Sequence, residues 1–127
     1  MIAKRYIEQG VKIREEYLDV SKKLEAILTD IKGVGLQLKK HTEDLKYISE
    51  NLDGYDGEQA KLVILNKLTD VEIQGNKLTA IYKPVNEKLE SLKKQEEILY
   101  NTIKEQYPDL SDEDMVKEFE PYIKKLN

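Results

Sequence analysis

Two columns of mostly apolar residues run side by side through the first half of the chain. Every seventh residue from Tyr6 reads Tyr6, Ile13, Val20, Ile27, Val34, His41, Ile48. Every seventh from Gly10 reads Gly10, Tyr17, Leu24, Ile31, Leu38, Leu45, Leu52. The columns are offset by three and four residues, which is the spacing of an a/d seam, with β-branched residues mostly in one column and leucines in the other. No proline interrupts this stretch, so it predicts one continuous helix ending near Leu52.

A second seam steps by four and three through Ile64, Leu68, Val71, Gly75, Leu78, Tyr82, Val85, Leu89, Leu92, Glu96, Leu99 and Ile103. Pro84 falls within it. Proline lacks the backbone donor and crowds the preceding turn, so a kink or short break is expected near Tyr82 and Lys83. Between the seams lies NLDGYDGEQ. Gly54 suits the left-handed position that closes a helix, and Asp56 with Gln59 suits the capping box that opens the next.

A connection this short makes neighbouring helices antiparallel. The expected architecture is therefore all-α: a long antiparallel helical hairpin, a coiled coil, over residues 1–108 with its turn at 53–57. Each arm of about 50 residues would span roughly 75 Å. A turn near residue 55 pairs positions whose numbers sum to about 110, setting Ile31 against Leu78, Arg14 against Glu96 and Gly35 against Gly75.

Residues 109–127 predict a separate short helix. Pro108 stops the second arm, Ser111 suits the N-cap, and Asp112, Glu113 and Asp114 suit the positive end of the helix dipole. Met115, Phe119, Tyr122 and Leu126 form one stripe, with Val116 and Ile123 beside it. Pro121 implies a kink or an early end. This helix is expected to fold back onto the open end of the hairpin, where Ile7, Val11 and Leu18 offer a matching stripe. The alternative is a detachable helix that seats in a partner's groove.

Composition narrows the function. Charged residues make up 36% of the 127 and the net charge is only -4, so acids and bases interleave. The lysine pairs Lys22-Lys23, Lys39-Lys40, Lys93-Lys94 and Lys124-Lys125 stand among acids that cancel most of an attractive field, and arginine occurs only as Arg5 and Arg14. A nucleic-acid partner is therefore disfavoured. Cysteine is absent, which removes disulfides and thiolate chemistry and agrees with a cytoplasmic setting. No apolar run has the length of a signal peptide or a membrane span. The Lys-, Ile- and Tyr-rich composition is similar to that of helical hairpins among small accessory proteins of bacteria and their phages, and no closer family resemblance is present.

Few residues invite chemistry. His41 is the single imidazole and stands in a seam column. A seam position more often sets helix register or oligomer state, and a lone histidine lacks the usual complement of metal ligands. A buried imidazole there would still make assembly sensitive to pH. The DGYDG tip lacks the alternating oxygens and the downstream glutamate of a calcium loop. Phosphate-binding and nucleophile motifs are missing. No catalytic, cofactor or metal residue is expected. Gly33, Gly35 and Gly75 read as packing positions rather than hinges.

Leu28, Leu36, Leu62, Val63, Leu65, Ile73, Ile81 and Ile98 lie off both seams. A bare hairpin cannot bury them, and its core would be thin for this size. A second copy of the chain is the economical cover, through an oligomer interface at Leu62, Val63, Leu65, Leu36 and Ile73, giving an oligomeric helical bundle. A further, unidentified protein partner is expected at Met115, Phe119, Tyr122, Leu126 and the tip residue Tyr55. The expected function is a non-catalytic protein-protein interaction module: a scaffold, adaptor, chaperone or inhibitor. The alternative is a nucleic-acid-associated accessory factor using lysines along an oligomeric helical rod.

Overall fold

The computed structural model describes residues 1–126; Asn127, the last position of the expected C-terminal helix, lies outside them. Helix α1 spans Lys4–Asn51, α2 spans Gly54–Gln106 and α3 spans Asp112–Ile123, followed by a 3-10 turn at Lys124–Leu126. The long helices α1 and α2 pack against each other as a hairpin. The seams explain why: Tyr6, Ile13, Val20 and Val34 of the first are buried, as are Ile64, Val71, Leu89, Leu92, Leu99 and Ile103 of the second. Leu38 and Leu52, both seam positions by spacing, are exposed.

The connection is tighter than the expected turn at 53–57. Only Leu52 and Asp53 lie between the helices. The Leu52 N–H still donates to the Ile48 carbonyl at 2.9 Å. Gly54 carries the reversal at φ +71°, a conformation costly for any residue with a Cβ. Asp56 therefore sits inside the first turn of α2 rather than before it. Gly57 is pressed against the end of α1, where a Cβ would come within 2.8 Å of the Leu52 carbonyl oxygen. Of the kink or short break expected near Tyr82 and Lys83, the break does not occur: α2 runs through Pro84. The ring forfeits one backbone hydrogen bond without ending the helix.

Two compact units divide the chain. One comprises Met1–Lys23 with the chain from Val85 onward, and the other Leu24–Pro84. In the first unit α3 folds back as expected. Ile2, Tyr6, Ile7, Ile13, Leu99, Ile103 and Met115 form its core, with Val11, Tyr107, Leu110 and Phe119 packed around them. Leu18 is half-buried outside that cluster. Ser111 is the N-cap of α3, its Oγ accepting from the Asp114 N–H at 3.2 Å. Pro121 stands in the last turn before the 3-10 segment, a tightening that fits an early end.

The second unit has a lean core. Its buried apolar residues are Val34, Ile64 and Val71. The expected Gly35–Gly75 apposition is replaced by one between Val34 and Gly75, where a Cβ on Gly75 would stand 3.4 Å from Val34 Cγ1. Gly35 is one residue past the seam and so is turned away from it. A Cβ at Gly33 or Gly35 would meet nothing within 4 Å, so the packing role expected of those two is absent. Their cost to the helix is then uncompensated. Gly33→Ala and Gly35→Ala are each expected to raise stability by about 1 kcal/mol, read as higher urea midpoints at unchanged slope. A loss of stability in either variant would mean the space is occupied.

Candidate functional site

Two regions hold the residues singled out above. The first lies where α3 meets the hairpin in the first unit. Glycine at position 10 makes the seat: a Cβ there would fall 2.5 Å from Phe119 Cε1, so the ring occupies the volume a side chain would need. The small residue that admits a bulky group from a third helix is thus Gly10, not Gly33 or Gly35. Beside it opens an apolar groove of about 440 Å³, walled by Leu99, Ile103, Met115, Val116 and Phe119.

Charged and polar contacts fasten this region. Arg14 and Glu96, opposed by arithmetic in the sequence, form an ion pair at 2.9 Å. The Arg14 guanidinium also stands 5.2 Å from the Tyr17 ring centroid. The Ile2 N–H donates to Glu118 Oε1 at 2.7 Å and the Ala3 N–H to the Tyr107 hydroxyl at 3.0 Å. These acceptors satisfy donors at the start of α1 that have no partner within the helix.

A three-residue network ties the start of α3 to α2. The Tyr100 hydroxyl donates to Asp112 Oδ1 at 2.8 Å, and Lys104 Nζ approaches the same oxygen at 3.3 Å while donating to the Leu110 carbonyl at 2.7 Å. The hydrogen bond from Tyr100, followed by that from Lys104, holds the Asp112 carboxyl below its ordinary range. The same bond to Asp112 raises the Tyr100 phenol. Tyr100, Lys104, Tyr107 and Glu118 carried no signal in the sequence, because each acts across helices whose relative rotation a linear pattern does not encode.

The expected partner-binding residues divide. Met115 is only 6% exposed and belongs to the intramolecular core, so in this conformation it is closed to a partner. Phe119 is half-buried on Gly10, and Leu126 is half-buried. Tyr122 and Tyr55 are exposed.

The second region is the outer surface of the second unit. Leu36, Leu62, Val63, Leu65 and Ile73 are all between 45% and 61% exposed. At roughly 100° per residue, Leu62 and Ile73 point about 180° away from the Ile64–Val71 seam, while Leu36 points away from the seam of α1. In the same unit His41 is half-buried, and its Nδ1 is enclosed without a hydrogen-bond partner among the described residues. Such an orphan costs about 1–3 kcal/mol. Among the described residues no group of three or more His, Asp or Glu is placed to hold a metal ion, and no helix is long and apolar enough to cross a membrane. Compared with protein-family models, with curated proteins and with solved structures, the chain matches none.

Proposed function

We propose that this protein is a non-catalytic protein-protein interaction module that associates with copies of itself through the second unit. The observation that carries this reading is the exposure of Leu62, Val63, Leu65 and Ile73 along α2, beside a core reduced to Val34, Ile64 and Val71. Each is about half exposed, so covering it with a second copy contributes about 1 kcal/mol. The side chains of both copies add together against the entropy lost on association. The hairpin then serves as the scaffold, and α3, docked on its own hairpin, as the clasp at the open end. A further protein would meet the exposed Tyr122 and Val116, while binding through Met115 requires α3 to leave its seat.

Sedimentation velocity tests the reading. The wild type is expected to sediment as a dimer or larger at micromolar concentration, and Leu62→Ser/Leu65→Ser/Ile73→Ser as a monomer with unchanged helix content. A wild type that remains monomeric at hundreds of micromolar overturns it. Retention of DNA or RNA that persists at physiological salt and falls steeply above it would favour the accessory-factor alternative.

A further inference from the structure

α2 carries a second heptad row, distinct from the seam that faces α1. It steps by four and three from Tyr55 to Ala80. Between these ends stand Gln59, Leu62, Asn66, Thr69, Ile73 and Asn76, all exposed. Seven charged residues lie between Tyr55 and Ala80, and none falls on this row. The next positions at the same spacing are Lys83 and Glu87, where the uncharged row ends. Helix periodicity places the row on the side of α2 opposite α1, with Val63 and Leu65 flanking it on either side.

The row has the make-up of a weak, specific coiled-coil seam. Leu62 and Ile73 supply apolar anchors, and polar residues between them fix register at a cost in strength. Thr69 is ready for burial, since its hydroxyl already donates to the Leu65 carbonyl of its own helix at 3.0 Å. Contact with another helix would leave that donor satisfied.

We infer that this row pairs antiparallel with the same row of a second copy, Leu62 lying against Ile73 of the second copy and Gln59 against Asn76 of the second copy. The inference rests on the self-association proposed above and specifies its geometry. Size and polarity match in this register. Asn66 meets Thr69 of the second copy, and Tyr55, the largest side chain, meets Ala80, the smallest.

Charge at the two ends of the row favours the same direction. Asp56 and Glu58 border the Tyr55 end and Lys77 the Ala80 end, while Asp70 and Glu72 flank the row between them. Antiparallel pairing sets Asp56 beside Lys77 of the second copy at both ends of the contact. Neither residue is held in an ion pair among the described residues. Parallel pairing would instead gather both copies' Asp56 and Glu58 at one end, crowd Tyr55 against Tyr55, and leave a gap between facing Ala80 residues. Leu36, on the far side of α1, takes no part.

The absence of cysteine makes the test direct. Gln59→Cys and Asn76→Cys replace exposed polar residues and keep both apolar anchors. Each variant is treated with a short bis-maleimide alone and as an equimolar mixture, after sedimentation of the same samples. The mixture is expected to give the cross-linked dimer and either variant alone to give none, with Ile73→Lys abolishing the product. Cross-linking of either variant alone, or of none of the three samples, overturns the inference. If sedimentation shows a dimer in those samples, self-association stands and only the pairing falls; if it shows monomer, both fall.

Discussion

Ile103→Ala is expected to lower the free energy of unfolding by about 2–5 kcal/mol, against a total of about 5–15 kcal/mol for a domain. Ile103 is 1% exposed and lies where all three helices meet, in one cluster with Ile7, Leu99 and Met115. Truncation removes the transfer free energy of the lost methyl and methylene groups. It also leaves a void that long helices, fixed by their own hydrogen bonds, close only in part. The apolar groove between Leu99, Met115 and Phe119 borders the same site. The enlarged space joins that groove rather than collapsing. Ile98, five residues earlier in α2, is 65% exposed and provides the control. Ile98→Ala should stay within about 0.5 kcal/mol of wild type. Urea unfolding distinguishes the two by midpoint, and equal midpoints would show that Ile103 does not occupy the core.

Deleting residues 111 to 127 is the second large effect. It removes the Ser111 cap, the Asp112 contacts with Tyr100 and Lys104, the Glu118 acceptor for the Ile2 N–H, and the burial of Met115 and Phe119. Burial of a side chain of this size is worth up to about 1.5–3 kcal/mol. The deletion also uncovers Ile7 and Ile103. The shortened chain is expected to melt at clearly lower temperature, to lose more helix than α3 itself contributes, and to bind a hydrophobic dye. If it melts with the full-length protein and binds no dye, α3 is an appendage and Met115 and Phe119 are free for a partner. Deletion that spares the fold but removes a captured protein would restore the detachable-helix alternative.

Much of the architecture was legible from spacing. The paired columns beginning at Tyr6 and Gly10 identify α1, and the second seam identifies α2, since only a helix brings positions three and four apart onto one line. Their apposition follows from the short NLDGYDGEQ connection, and residue arithmetic then set Arg14 against Glu96, which are 2.9 Å apart. The same arithmetic erred at Gly35, because it counts distance along the helices and ignores rotation about them; Val34, one residue earlier, is the one facing Gly75. The missing donor at Pro84 implies a kink or short break; the helix continues through it, since one absent bond in a long helix does not end it. The oligomer-interface candidates were legible as leftovers, apolar residues that neither seam absorbs, and they are exposed.

Alone, the sequence determined the helical class, a fold-back close to Gly54, the facing seams, and the start of α3 at its Ser111 cap. All of these depend on local conformational preference and on a periodicity that maps directly onto one helix face. Tertiary structure decided which glycine receives a neighbour, Gly10 beneath Phe119 and not Gly33 or Gly35, and which groups clasp α3: Tyr100, Lys104, Tyr107 and Glu118. Those outcomes depend on how a third helix is rotated and seated against two others, a relation between segments far apart in the chain that no repeat along it records.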